Sequence, residues 1–466
     1  MTAASPPIHR ETWIEQVKKN LFRNWWSGLI TVVLLPTTGY LAYRAFKFFF
    51  INGQWEAVQV NLTLFMQGTF ARDEQWRLIA QILIFGLAFG VGLGTASGAA
   101  HDRADDAGLV FKRSSLADTL KRMWSLVAFI ALLLFFASTD ETGNLINPYL
   151  VVAGGLGLSF VGYQAFRLPR RLRNLGWLLT MVLLVLGFQV VSGFDAESWV
   201  PLSLILGSAA YASVPTEMFD TAATRQAVKV LAALGAVAVV FAIYRVVDAP
   251  GIGWDEWSGL HLTLMTSAIA IVLAFPLGLL LALARRSTLP ALRLMATTYI
   301  EVIRGVPLIT LLFMGQFILG FMVPAGTDLS DITRAIAAMT LFTAAYVAEI
   351  VRGGLQSLPS GQTEAGQALG LAPPTIMRRI VLPQALRAVI PAMVGQFISL
   401  FKDSSLLFII GITEFLRVRT LVHAQAAFRG VAIAETLVFV AIGYWAFAFA
   451  MSRESQRLER RLRVSR

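Results

Sequence analysis

Residues 364–383 read EAGQALGLAPPTIMRRIVLP, a polar and helix-breaking island set between long apolar stretches. Ser360 suits an N-cap, Gln362 to Leu369 make about two helical turns, and Gly370 suits the left-handed position that ends a helix. Glu364 lies in the first turn, where a carboxylate favours the helix dipole. Pro373 and Pro374 restart the chain in a new direction, because proline fits the first turn of a helix and not its middle. The stretch predicts a short helix, a corner and a second short helix, held at a surface by the apolar segments on either side.

Those segments set the class. The chain of 466 residues is 56% hydrophobic and 14% charged, with a mean hydropathy of +0.66, which points to an all-α polytopic membrane protein. Runs long enough to cross about 30 Å of hydrocarbon fall at 28–50, 78–98, 124–138, 149–166, 176–193, 228–247, 261–284, 305–323, 332–352, 386–403 and 431–451, and 200–214 is a shorter one. The net charge of +11 lies mainly in short loops, where membrane topology accounts for it without nucleic acid. The absence of cysteine excludes disulfides and thiolate metal sites, and His9, His101, His261 and His423 lack ligand spacing.

Loop charges order the spans. Basic groups at Lys112 and Arg113, Lys121 and Arg122, Arg167 to Arg173, Arg225 and Lys229, Arg285 to Arg293, and Arg378 to Arg387 belong in the cytoplasm. The connections around Asp140, Asp195, Asp248 and Asp328 are poor in basic residues. The two sets alternate only if 200–214 crosses, which predicts about twelve spans with both termini cytoplasmic. Residues 1–27 carry Lys18, Lys19 and Arg23 ahead of Trp25 and Trp26, and no small-residue cleavage site follows, so they read as a tail and signal anchor. Arg44 and Lys47 sit against this topology, as do Arg417, Arg419 and Arg429, and the latter group marks 404–430 as a structured, partly buried segment.

A domain boundary falls near Asp248-Ala249-Pro250-Gly251-Ile252-Gly253. It divides an N-terminal extension, 1–250, with about seven spans from a core, 251–466, with about five. Gly-rich runs at 86–98 and 154–162 let helices approach closely. No Gly-Lys dipeptide occurs, so the chain has no phosphate-binding loop of its own, and neither a G-x-S-x-G elbow nor an H-E-x-x-H helix is present.

The spacing of Glu364, Ala365, Gly366 and Gly370, followed after nine residues by Ile380, Leu382 and Pro383, resembles the EAA loop of binding-protein-dependent ABC importer permeases. Gly366 departs from that pattern, standing where the second alanine is expected. WSGLHLTL (257–264), YIEVIRGVPLI (299–309), AYVAEIVRGGL (345–355) and LFKDSSL (400–406) extend the likeness to the polar amino-acid branch, of the His/Glu/Gln/Arg/opine type, over roughly 255–452. The resemblance implies a type I importer permease core that moves amino acids by alternating access. It further implies that the loop is a coupling helix for two cytoplasmic ATPase subunits, which carry ATP and Mg, while this chain is non-catalytic and binds no cofactor. A periplasmic or surface amino-acid-binding protein and a second permease, with a heterodimer favoured, complete the implied assembly in the bacterial inner membrane.

Polar groups within spans are expensive and therefore mark sites. On core spans these are Gln316, Tyr346, Gln396, Ser399, Lys402 and Asp403, which together offer an acceptor for an ammonium and a donor for a carboxylate. The alternative for Lys402 and Asp403 is the end of a span, with Ser404 capping the next segment. Glu301 and Arg304, like Glu349 and Arg352, are spaced for pairs within one helix, either part of a gate or simple helix-end ion pairs. Two rival functions remain open from the residues: an ion-coupled secondary transporter, which inverted repeats would mark, and a non-transporting assembly protein, which leaves the polar corner unexplained.

Overall fold

A computed structural model describes residues 18–108, 115–137, 147–193, 222–246, 252–253, 256–322 and 329–464, with isolated positions between 203 and 214. Helices and turns make up the described residues, apart from one isolated parallel bridge between Gly259 and Glu414. The N-terminal part consists of α1 (Trp25–Lys47), the short α2 (Glu56–Val60) and α3 (Leu62–Gln67), α4 (Gln75–Asp106), α5 (Leu116–Arg122), α6 (Trp124–Ala137), α7 (Pro148–Tyr163), α8 (Arg173–Ser192) and α9 (Ala222–Val246). The later part runs α10 (Gly259–Arg285), α11 (Pro290–Gly305), α12 (Leu308–Met322), α13 (Asp331–Gln356), α14 (Gly361–Ala368), α15 (Pro373–Ile376), α16 (Leu382–Asp403), α17 (Phe415–Ala424) and α18 (Ile433–Val464).

Eight described helices are long and apolar enough to cross a membrane, or up to ten if each of two bent pairs counts as one span. Most of the stretch 200–214 and of the boundary 248–253 lies outside the described residues. The stretch 305–323, expected to cross, is only the second limb of a pair bent by 108°. Pro307 lacks the N–H that would continue α11, so the chain breaks at Gly305 to Pro307 and α12 restarts in a new direction. The stretch 124–138 likewise follows an 82° bend after α5.

The glycine runs explain two close helix pairs. In α4 and α7 a Cβ at Gly90 would collide with the Ser159 carbonyl oxygen, and one at Gly162 would lie 2.5 Å from that of Leu87. Between α10 and α13, a Cβ at Gly278 would stand 2.6 Å from the Val347 side chain. Small residues therefore set the interhelical distance where no hydrophobic drive exists between lipid-bathed helices.

Among the described residues, three apolar clusters fill the bundle. One joins α10, α12 and α13 to Phe188, Val191 and Trp257. A second holds Val58, Leu62 and Phe65 of α2 and α3 against Phe415, Val418 and Phe439. A third, with Ala282, Ile300, Val351, Ile376 and Val389, lies under the polar corner. Because α10 gives Leu260 to the second cluster and Ala282 to the third, the molecule has a corner end and a far end. At the far end Phe65 lies edge-on to Phe439 at 5.1 Å, Gln425 donates to Asn61 at 2.7 Å, and the Gln54 N–H donates to Glu435 at 3.0 Å.

Candidate functional site

The corner is built as its sequence dictates. After α13 the chain turns over Pro359 and enters α14, one residue earlier than the spacing indicates. Ser360 holds the N-cap position, but its side chain makes no cap; its carbonyl accepts from Thr363 N at 2.8 Å and Glu364 N at 3.1 Å. At the other end Gly370 N donates to the Gln367 carbonyl at 2.8 Å and Leu371 N to that of Gly366 at 3.1 Å, the paired bonds of a Schellman stop. Gly370 has φ +71, and nothing lies within 4 Å of the position its Cβ would take. The constraint there is conformational, not steric.

Pro373 and Pro374 open α15, a π-helical run over Met377–Val381 carries Ile380, and Leu382 and Pro383 begin α16. Gly366 is the buried residue of α14, and a Cβ there would come 2.9 Å from Ile376, itself 2% exposed. That contact accounts for glycine at this position. Ala365, Gln367 and Gly370 are exposed, Leu369 is 78% exposed, and a cleft of about 520 Å³ runs between Arg286, Leu358, Ser360, Glu364, Gln367 and Met377. The cleft is lined by both charged and apolar side chains, and Leu369 stands exposed on the helix beside it.

Behind the corner lies a charge network that spacing alone did not reveal. Glu349 pairs within α13 with Arg352 at 2.8 Å, as expected. Glu301 and Arg304 behave differently: Glu301 takes Arg285 of α10 at 2.8 Å, and Arg304 reaches Glu349 at 3.5 Å. Arg285 also contacts Glu349 at 2.5 Å. The ends of α10, α11 and α13 converge here, so partners on neighbouring helices replace the one along α11.

The six polar span residues are distributed over three helices. Ser399 and Lys402 are exposed and share a face of α16 with Gly395, at spacings of three and four. Gln396 and Asp403 are partly buried on the same helix. The helical path does not end at Asp403 but continues as a 3-10 turn over Ser404–Ile410, where the Ser404 hydroxyl donates back to the Phe401 carbonyl at 2.6 Å. Tyr346 of α13 packs on Phe342 with centroids 4.8 Å apart, and Arg304 stands 5.7 Å from its ring. Gln316 lies on α12, where its carbonyl accepts from Arg334 at 3.1 Å. The structure groups Gln396, Ser399, Lys402 and Asp403 on one element, with Tyr346 and Gln316 on others.

Glu414 was not singled out by sequence. It is fully buried, caps α17 by accepting from Leu416 N at 2.7 Å and Arg417 N at 2.8 Å, and receives the Tyr444 hydroxyl at 3.0 Å. Burial pushes its carboxyl up to about 7. An acidic residue just ahead of the run FLRVRTLVHA was the available signal.

The model of the binding-protein-dependent transport system inner membrane component family matches residues 274–464. The probable glutamine ABC transporter permease protein GlnP of Bacillus subtilis is 35% identical over 203 residues, 44% of this chain and 91% of that protein. The chain belongs to this family of transport inner membrane components. The matched residues take in the corner, the charge network and α17. Two relatives extend beyond it: the inner membrane amino-acid ABC transporter permease protein YhdY of Escherichia coli is 45% identical over 45% of this chain, and the glutamate/glutamine/aspartate/asparagine transport system permease protein BztC of Rhodobacter capsulatus is 39% identical over 57% of it. The chain spans 57% and 63% of those two proteins. A solved amino acid ABC transporter chain described as crystallised with histidines is 31% identical over 44% of this chain and 92% of its own, with a TM-score of 0.40.

Proposed function

We propose that the chain is the permease subunit of an ATP-driven, binding-protein-dependent amino-acid importer. The observation that carries this reading is the corner: a short exposed helix, stopped by a left-handed glycine, beside a cleft and an exposed leucine, rooted on membrane-spanning helices. In this reading Glu364, Ala365, Gly366, Gly370, Ile380, Leu382 and Pro383 form the surface and scaffold that engage a cytoplasmic ATPase. The relatives named as amino-acid permeases support the substrate class.

The chain itself is non-catalytic, and ATP and Mg belong to two partner ATPase subunits. A periplasmic or surface binding protein delivers the amino acid, and a second permease, favoured to be a different chain, completes the pathway in the inner membrane. With the corner cytoplasmic, the loop charges put both termini on the same side. Residues 251–466 form the transporting core and 1–250 an extension. Gln316, Tyr346, Gln396, Ser399, Lys402 and Asp403 line the substrate path, the exposed face of α16 being turned to the second permease.

The test is uptake of a labelled amino-acid mixture into proteoliposomes holding the full complex. Uptake is expected to require ATP on the corner side and to persist when ion gradients are collapsed. Uptake that follows the ion gradient and ignores ATP would exclude the proposal.

A further inference from the structure

Tyr346, Glu349 and Arg352 succeed one another at intervals of three on α13 and so share a face. Glu349 is 14% exposed, and guanidinium groups from three helices meet on it. Arg352 binds both its oxygens, Nε at 3.0 and 3.1 Å and Nη2 at 2.8 Å, while Arg285 at the end of α10 and Arg304 at the end of α11 approach from across the bundle. Each guanidinium has a second attachment. Arg285 holds Glu301 at 2.8 Å, Arg352 donates to Gln356 at 2.8 Å, and Arg304 lies over the Tyr346 ring.

The attachments of Arg352 and Arg304 give the carboxylate its importance. Gln356 is the last residue of α13, just ahead of Gly361 where α14 begins. Arg304 precedes the 108° elbow between α11 and α12. Tyr346 is one of the substrate-path residues. One carboxylate therefore connects the root of the coupling helix, the elbow and a residue facing the path. Isolated exposed ion pairs contribute little, whereas a shielded carboxylate with a bidentate arginine and partners on three elements holds geometry. Removing its charge would leave Arg285, Arg304 and Arg352 crowded around a neutral group, with Glu301 the nearby anion.

We propose that Glu349 is the positioning residue that binds the corner ends of α10, α11 and α13 into one unit, so that displacement of α14 by the ATPase reaches Tyr346 and the elbow. This rests on the importer reading of the chain.

The experiment compares E349Q and E301Q with wild type in the complete reconstituted complex, reading ATPase content, ATP hydrolysis with and without substrate, and uptake of a labelled amino-acid mixture. Expected for E349Q is ATPase content as in wild type with uptake per ATP reduced about 5- to 150-fold, the range of a typical coupling free energy. E301Q, which leaves all three contacts to Glu349 in place, is expected to stay near wild type. Should E349Q not accumulate, R304Q keeps Glu349 bonded to Arg285 and Arg352 and carries the same expectation. An unchanged ratio of uptake to hydrolysis overturns the proposal, and so does a smaller amount of complex whose ratio is unchanged, since that is a structural role alone. A wild-type complex that takes up no amino acid refutes the importer reading, and the proposal falls with it, whereas a transporting wild type with an unaltered variant refutes Glu349 alone.

Discussion

Gly370 shows how far one residue specifies local structure. Its positive φ closes α14, and open space around it means that a side chain would meet no neighbour. The cost of Gly370→Val is thus the left-handed backbone of a β-branched residue, about 1–3 kcal/mol. Insertion depends on apolar stretches elsewhere, so membrane expression is expected to stay normal while uptake and substrate-stimulated ATP hydrolysis fall together, measured per permease in the reconstituted complex. Retained coupling in this variant would show that the corner does not transmit the ATPase stroke. Residues of this kind were legible because glycine and proline act through their own backbone. Gly366 was legible only as small, since its reason is Ile376, ten residues on. Glu349 and Glu301 were less so: spacing says which side chains share a helix face, and not which other helix arrives there.

At the scale of elements, apolar length predicted most spans and failed where direction changes. The run 305–323 has enough apolar residues to cross, but α12 has 15 residues, about 22 Å at 1.5 Å each, and the elbow separates it from α11. Pro307 was the clue. The expectation of a structured, partly buried segment at 404–430 corresponds to the 3-10 turn Ser404–Ile410 and to α17. Its foundation, Glu414, has a measurable consequence. A carboxyl raised from 4.5 to about 7 in the folded state holds its proton at pH values where the unfolded chain has lost it. Stability from this group is therefore present below about pH 4.5 and declines as pH rises through 7, by on the order of 3 kcal/mol. Thermal unfolding of the detergent-solubilised chain between pH 5 and 8 should show that decline, and Glu414→Gln, which cannot ionise, should flatten it. A wild-type profile as flat as the variant's would mean that Glu414 is ionised in its site throughout.

For the whole molecule, the two ends depend differently on the N-terminal residues. The third apolar cluster, beneath the corner, is drawn from Ala282 to Met393 and takes no residue before 251. The far end is shared. Ser258 accepts from Thr69 N at 2.8 Å and donates to the Gln67 carbonyl at 3.1 Å, His261 meets Gln81 at 2.8 Å, and Phe65 fills a space among Phe415 and Phe439. Hydropathy could not disclose this, because α2 and α3 are too short to register as spans. A chain starting near residue 251 is accordingly expected to insert and capture the ATPase, since the corner and its support remain. It would uncover Leu260, Phe415 and Phe439, each 7% exposed or less in the full chain, and lose the polar contacts that hold the start of α10 and the end of α17 from the N-terminal side. Co-purification of the ATPase should match the full chain, while the truncated complex should unfold at lower temperature and transport less. If the truncated chain is present in the membrane and binds no ATPase, the corner draws support from the first 250 residues and the division near 250 is wrong.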